Sequence, residues 1–143
     1  MIAEEKTQGE GTAASHPFAQ FAGKRYLSLE TFRKSGEAVR TPVWFAAQDL
    51  DTPKPFLYVY TIGTSGKVKR IRNNPKVRVA PCDMRGGNIG EWSNARAQIL
   101  QGDAAAAGMR AIDSKYYPWK LLLDIFAAFR RHERTVFAIR PEP

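Results

Sequence analysis

The sequence has few cysteines and histidines and contains no long hydrophobic run. A single cysteine, Cys82, cannot form a disulfide within the chain, and the two histidines, His16 and His132, are too far apart in sequence to suggest a metal-ligand motif. No apolar run reaches the roughly 18 residues of a membrane span, and the N-terminus lacks the basic and apolar pattern of a signal peptide. We therefore expect a cytoplasmic protein with no metal site and no membrane span.

Acidic residues are also scarce. Fourteen Asp and Glu stand against 22 Lys and Arg, which gives a net charge of +8. A basic surface favours an anionic partner, which can be nucleic acid, an acidic membrane surface, or a small molecule that carries phosphate or carboxylate groups. The 143 residues fit a single domain.

The chain divides into a leader and a β-rich domain. Residues 1–22 are rich in small and polar residues without periodicity and are predicted to be a disordered leader, at whose end Phe18 and Phe21 can dock as a half-turn. Within residues 23–143, alternation predicts six strands: 26–32, 38–48, 56–61, 76–82, 91–101 and 135–140. Helices are predicted at 67–74, at 104–115 after a Gly102-Asp103 cap, and from Pro118 onward. This pattern predicts a mainly β fold, one antiparallel sheet that curls shut, with about three helices.

Pro42 lies inside the second predicted strand. Proline cannot donate to a strand ladder and is confined to edges and bulges, so part of this strand is expected to lack a neighbour on one side. Such an edge suits a flat ligand or a second subunit, and a simple bulge explains the proline equally well.

The stretch from Phe56 to Asp83 combines a strand, a glycine turn, a cationic helix and a second strand. The first turn of a helix has free N–H groups and a positive dipole end, which favour an anion. Ser65 is predicted to cap this helix, and Gly66 to let the backbone approach an anion closely. Six cations and no acid follow: Lys67, Lys69, Arg70, Arg72, Lys76 and Arg78. The same pattern is also typical of a solvated surface helix with Val68 and Ile71 facing inward.

Three runs of sequence together carry a family resemblance. The runs 39–45 (Val-Arg-Thr-Pro-Val-Trp-Phe), 57–61 (Leu-Tyr-Val-Tyr-Thr) and 65–79, with its helix, Asn-Pro and strand junction, resemble the split β-barrel flavin and deazaflavin oxidoreductases. That superfamily includes the pyridoxamine 5′-phosphate oxidase-like proteins. The likeness spans about Lys24 to Arg140 and is strongest to the branch that uses the deazaflavin coenzyme F-420.

The resemblance implies a homodimer with two cofactor sites in grooves between the subunits. By this resemblance Lys67 matches the phosphate-contacting lysine, Thr61, Ser65 and Gly66 lie in the same cradle, and Arg70 is a less certain match one turn further on. Thr41, Pro42 and Val43 match the strand along which the ring lies, with Arg40 beside them. FMN-binding oxidases carry a basic residue at the end of this strand, where the present chain has 46–48 (Ala-Ala-Gln).

The charge pattern then favours the deazaflavin over FMN. The deazaflavin coenzyme carries carboxylates beyond its phosphate, and the extra cations of residues 67–78 suit that longer anionic tail. The function so implied is hydride transfer between the cofactor and an electron-poor small molecule, and no residue is identified as catalytic. FMN as cofactor and a non-catalytic tetrapyrrole carrier remain as alternatives. A nucleic-acid binder is a remote one, because the aromatic residues are not interleaved with the basic ones.

Overall fold

The computed structural model describes residues 18–62, 65–116 and 134–142. The strands are β1 (Tyr26–Phe32), β2 (Ala38–Gln48), β3 (Phe56–Ile62), β4 (Lys76–Cys82), β5 (Ser93–Leu100) and β6 (Arg134–Pro141). The helices are α1 (Gly66–Asn73) and α2 (Gly102–Tyr116), and a single 3-10 turn spans Ala19–Phe21. The helix predicted from Pro118 onward lies outside the described residues.

The six strands form a closed barrel in the order β1-β2-β3-β6-β5-β4, and every pairing is antiparallel. This confirms the fold predicted from alternation. Side chains on one face of each strand fill the interior, because successive residues of a strand point to opposite faces. The largest of these interior side chains are Leu27, Leu29, Phe45, Leu57, Val59, Phe137 and Ile139.

Apolar side chains from two short segments join the barrel core. Val68 and Ile71 of α1 are buried in it, as their spacing predicted. Phe18 and Phe21 of the 3-10 turn are buried as well, and the Phe21 ring meets the Phe45 ring edge-on at 5.6 Å. The docking predicted for these two phenylalanines is confirmed, and residues 18–22, which fall within the predicted leader, pack on the barrel.

Strand β2 changes its neighbours halfway along its length. Residues 38–44 pair with β1, whereas pairing with β3 begins only at Phe45 opposite Val59 and continues to Gln48 opposite Phe56. The first part of β2 therefore has an open edge on the β3 side within the described residues. Pro42 lies in this open part, opposite Ser28 of β1, so the edge predicted from the proline is confirmed.

Helix α2 covers the outer face of β2, β3 and β6. Gly108 lies so close to this face that an added Cβ would be 2.7 Å from Val136 and 2.8 Å from Tyr58, so only glycine fits here. The helix begins at Gly102, and the predicted Gly102-Asp103 cap is wrong in detail, because both residues belong to the first turn. Gly102 has φ 59°, a conformation that glycine adopts without strain.

Tyr116, the last residue of α2, connects the start of β1 to the middle of β2 through its hydroxyl group. Its hydroxyl accepts a hydrogen bond from the Phe45 N–H at 3.1 Å and lies within donating distance of the Arg25 and Phe45 carbonyl oxygens. Its ring stacks on Trp44 at 4.6 Å. Burial raises the pKa of the Tyr116 hydroxyl, so it remains protonated and able to donate.

The connection between β4 and β5 folds back over the outer face of β1, β2 and β4. The Asp83 carboxylate orders it by accepting hydrogen bonds from the Arg85 N–H, the Gly87 N–H and the Asn88 amide. Further along, the Trp92 ring lies beneath two guanidinium groups, those of Arg40 at 4.6 Å and Arg78 at 5.0 Å. The connection between β4 and β5 therefore has defined contacts.

Beneath this layer lies a buried carboxylate, Glu30 of β1. It faces Arg40 across β2 and Arg78 across β4 and binds both guanidinium groups, at 2.7 Å and 2.5 Å. Burial acts to raise the pKa of Glu30, but the hydrogen bonds from Arg78 and Arg40 outweigh it, and the pKa is lowered below its ordinary value. The carboxylate is therefore charged in the folded protein and satisfied on both oxygens.

We predict that Tyr116→Phe lowers the free energy of unfolding by about 1–3 kcal/mol, because it leaves the buried Phe45 N–H without its partner. Tyr26→Phe is the matched control, since the Tyr26 hydroxyl has no hydrogen-bond partner among the described residues. Urea unfolding of both variants measures the difference, and equal stabilities would contradict the role given to Tyr116.

We predict that part of the stability depends on the Glu30 charge. A carboxyl whose pKa is lowered on folding stabilises the folded state above its unfolded pKa, and this contribution disappears as the pH falls through the folded value. Glu30→Gln should lower the free energy of unfolding at pH 7 by about 1–3 kcal/mol. The difference between wild type and variant should shrink below about pH 4.5. Unfolding measured from pH 7 to pH 3 tests this, and a constant difference would refute it.

Candidate functional site

The residues predicted to bind a cofactor fall into two groups. Arg40, Thr41, Pro42 and Val43 lie on the open part of β2, and Thr61, Ser65, Gly66, Lys67 and Arg70 lie at the end of β3 and in the first turns of α1. The last β2–β3 pair is Phe45 with Val59, so Val43 and Thr61 lie two residues beyond it on neighbouring strands. The strand order thus brings both groups to the same side of the barrel.

The first turn of α1 is formed differently from the prediction. Ser65 is the N-cap residue, but its side chain makes no capping hydrogen bond. Its hydroxyl oxygen instead accepts a hydrogen bond from the Thr61 hydroxyl at 3.3 Å. No acidic residue occurs in the first turn of the helix. The free N–H groups of this turn therefore lie beside two hydroxyl groups and no carboxylate.

Two partly buried cations lie next to this turn. Burial lowers the pKa of Lys67, and the neighbouring charge of Arg70 lowers it further. Burial also lowers the pKa of Arg70, with a smaller effect from Arg33. Neither residue takes part in an ion pair with the acids that the structure describes. Two like charges thus share a partly desolvated place without a counter-ion from the described chain.

Arg70 is held in position by two other residues. Its Nε–H donates to the Thr31 hydroxyl oxygen of β1 at 2.6 Å. Its guanidinium lies against Gly66, where an added Cβ would be 2.6 Å from Nη1. Gly66 was predicted to admit an anion; in the structure the Arg70 side chain occupies the space that its missing side chain leaves.

The four predicted residues on β2 point in alternating directions. Thr41 and Val43 lie opposite the interior residues Leu29 and Leu27, so their side chains face inward. The Thr41 hydroxyl oxygen is buried and has no hydrogen-bond partner among the described residues. Arg40 points to the outer face, where it binds Glu30 and the Trp92 ring.

The other cations of the basic run have separate environments. Arg78 belongs to the Glu30 pair on the outer face and is therefore not part of the α1 site. Lys69 and Arg72 are exposed on α1, and Lys76 is exposed at the start of β4. A cleft of about 380 Å³ lies at the far end of α1 and is lined by Phe32, Arg33, Lys34, Asn73 and Asn74.

Sequence reasoning did not identify Thr31 or Glu30 as partners of the predicted site residues. Thr31 shares one face of its strand with Leu27 and Leu29, and a hydroxyl on an apolar face is a weak signal of a buried polar contact. Glu30 alternates onto the opposite face. Its arginine partners are 10 and 48 residues away in sequence, so only the strand register reveals them.

The described residues contain neither a candidate metal site nor a candidate membrane-spanning helix. Within ranges 18–62, 65–116 and 134–142, no group of three or more His, Cys, Asp or Glu side chains is arranged to hold a metal ion. In the same ranges, no helix has the length and apolar character needed to span a membrane.

Comparison with solved structures identifies proteins of the same architecture. HutZ, the heme storage protein from Vibrio cholerae, superposes with a TM-score of 0.62 at 14% identity, over 89% of this chain and 87% of HutZ. A candidate pyridoxamine 5′-phosphate oxidase from Listeria innocua gives a TM-score of 0.54 at 15% identity, over 83% of this chain and 85% of that one. An F420 reductase gives 0.51 at 17% identity, over 94% and 93%.

No protein-family model matches the sequence, and no curated protein matches it significantly. At 14–17% identity the structural likeness establishes the fold. The chain has the split β-barrel fold of the pyridoxamine 5′-phosphate oxidase-like proteins, as the resemblance in sequence indicated.

Proposed function

We propose that the protein is a cytoplasmic, homodimeric oxidoreductase that uses the deazaflavin coenzyme F-420 to transfer hydride to or from an electron-poor small molecule. The observation that carries this proposal is the pair Lys67 and Arg70, partly buried at the start of α1 with no acidic partner among the described residues. Solved proteins of this fold include an F420 reductase.

The electrostatics of α1 favour a bound anion. The N-terminus of a helix carries a partial positive charge and free N–H donors, and Lys67 and Arg70 add two full charges beside it. Like charges in a partly desolvated place raise the free energy of the folded chain, which the lowered pKa of Lys67 reflects. A phosphate group would relieve this repulsion and accept the free donors.

The open edge of β2 fits the other half of such a cofactor. Among the described strands, the main chain of residues 38–44 has no neighbour on the β3 side, and Pro42 offers no N–H there. A flat ring can lie along this edge and form hydrogen bonds with the main-chain groups that face it. The residues present therefore fit a ligand with a phosphate at α1 and a ring along β2, and the same open edge suits a second subunit.

The charge distribution favours the deazaflavin over FMN. Beyond Lys67 and Arg70, the exposed Lys69 and Arg72 continue along α1, and Arg33 and Lys34 line the cleft at its far end. These cations suit a ligand with carboxylates beyond its phosphate. The absence of a basic residue at position 48 does not affect the choice between FMN and the deazaflavin. Gln48 pairs with Phe56 at the start of β3, whereas α1 follows the other end of that strand.

The bound cofactor would supply the hydride chemistry, and the residues of the chain would bind and orient it. Lys67, Arg70 and the first N–H groups of α1 would hold the phosphate, and the β2 main chain would fix the plane of the ring. Burial and the neighbouring Asp83 raise the pKa of Cys82, so this thiol remains protonated at neutral pH and is a poor nucleophile. No described residue is assigned as a proton donor.

A tetrapyrrole carrier is the second candidate, and the likeness to the HutZ barrel favours it. The two histidines, His16 and His132, lie outside the described residues. Titration with the deazaflavin coenzyme and with heme separates the two functions. The proposal requires quenching of the coenzyme fluorescence at low micromolar protein and oxidation of the reduced coenzyme with a quinone or enone acceptor. Tight heme binding without coenzyme binding would favour the carrier.

We predict that Lys67→Ala weakens coenzyme binding by about 1.5–3 kcal/mol, which is typical of a lost charge-assisted hydrogen bond. The melting temperature of the cofactor-free protein should not fall, because the substitution removes a cation that its neighbour Arg70 repels. Fluorescence titration and thermal unfolding measure the two effects.

Lys69→Ala is the matched control for this prediction. Lys69 carries the same charge on the same helix but is exposed, so its removal should cost less than about 1 kcal/mol of binding free energy. Equal losses in the two variants would mean that general attraction, and not a site at Lys67, holds the ligand.

A further inference from the structure

We infer that Thr31 and Gly66 are positioning residues that hold the Arg70 guanidinium at the start of α1, so that its two terminal nitrogens face a phosphate group. This inference rests on the proposed function, because it concerns the same anion site. It adds a residue from β1 and a reason for glycine at position 66, neither of which follows from the presence of a basic helix.

Thr31 fixes the orientation of the guanidinium. Its side chain is fully buried, and its hydroxyl oxygen accepts the Arg70 Nε–H at 2.6 Å. A guanidinium is planar and has a fixed arrangement of five donors. With the Nε–H engaged, the edge formed by Nη1 and Nη2 remains for a ligand. This edge presents two parallel donors, the geometry that matches two oxygens of a phosphate.

Gly66 provides the space for this arrangement. Side chains of a helix lean toward its N-terminus, so the Arg70 side chain runs back over the residue four positions earlier. A Cβ on Gly66 would lie 2.6 Å from Nη1 and 3.4 Å from Cζ of Arg70. Gly66 is not among the glycines with positive φ, so the position requires the absence of a side chain and not a special backbone conformation.

The charges around Arg70 leave it available to an anion. The described groups that act on it electrostatically are cations, Lys67 on its own helix and Arg33 beyond the end of β1. Among the residues that the structure describes, its one hydrogen bond to a side chain is to the neutral Thr31. This contrasts with Arg40 and Arg78, which are both paired with the Glu30 carboxylate.

Three variants test the inference. Thr31→Val keeps the shape of the side chain and removes the acceptor, Thr31→Ser keeps the acceptor, and Gly66→Ala removes the space. The probe is inorganic phosphate, titrated into ¹⁵N-labelled protein while the Arg70 Nε–H resonance is observed. We expect Thr31→Val and Gly66→Ala to bind phosphate about 5- to 20-fold more weakly, and Thr31→Ser to stay within about 2-fold of wild type.

Two readouts separate positioning from a general loss of structure. Thr31→Val should shift the Arg70 Nε–H resonance in the ligand-free protein, and Thr31→Ser should restore it. Gly66→Ala should keep or raise the melting temperature, because alanine favours a helix and the Arg70 tip can move aside. Weaker binding with undiminished stability therefore supports the inference.

Two results would contradict, separately, the positioning role and the proposed function. Unchanged phosphate affinity in Thr31→Val, or an unchanged Arg70 Nε–H resonance, would overturn the positioning role and leave the proposed function intact. If wild type binds phosphate with the expected variant pattern but does not bind the deazaflavin coenzyme, the proposed function fails and the positioning of Arg70 stands.

Discussion

The organisation of this barrel depends on one interruption in its hydrogen bonding, the place where β2 exchanges β1 for β3 as its neighbour. Up to Trp44 the strand pairs with β1, and from Phe45 onward it pairs with β3. Before Phe45, β2 and β3 are not paired with each other. The main-chain groups of residues 38–44 that face β3 are therefore without a partner strand among the described residues. Proline is tolerated at position 42 for this reason, and the same opening lies beside the start of α1.

The charges of the molecule follow this division. On the outer face, the buried Glu30 carboxylate pairs with two partly exposed arginines, so these cations stabilise the fold. At the start of α1, Lys67 and Arg70 have no such partner among the described residues, and the helix end adds to their positive potential. A protein of net charge +8 thus contains cations that are paired with an acid and cations, at the start of α1, that have no acidic partner among the described residues.

Much of the fold could be predicted from local pattern. The bounds of β2 and β4 agree with the prediction to the residue, and α1 is displaced by one, because alternation, turn residues and Pro75 are local signals. The details that were predicted wrongly depend on specific side-chain contacts, which a pattern of residue types does not show. Ser65 has the character of a cap, but its hydroxyl binds Thr61; Arg78 belongs to the basic run, but the register of β1 and β4 directs it to Glu30. Gly66 was predicted to let the backbone approach an anion, but the space beside it is occupied by the Arg70 side chain.

The central claim is that an anionic, flavin-type cofactor binds with its phosphate at the start of α1 and its ring along the open edge of β2. Mapping backbone amide shifts during a titration with the deazaflavin coenzyme tests this most directly. The account predicts that the largest changes occur at Gly66, Lys67 and Val68 and at the amides of residues 38–44. Large changes confined to the opposite side of the barrel, around the cleft lined by Arg96 and Arg140, would contradict it.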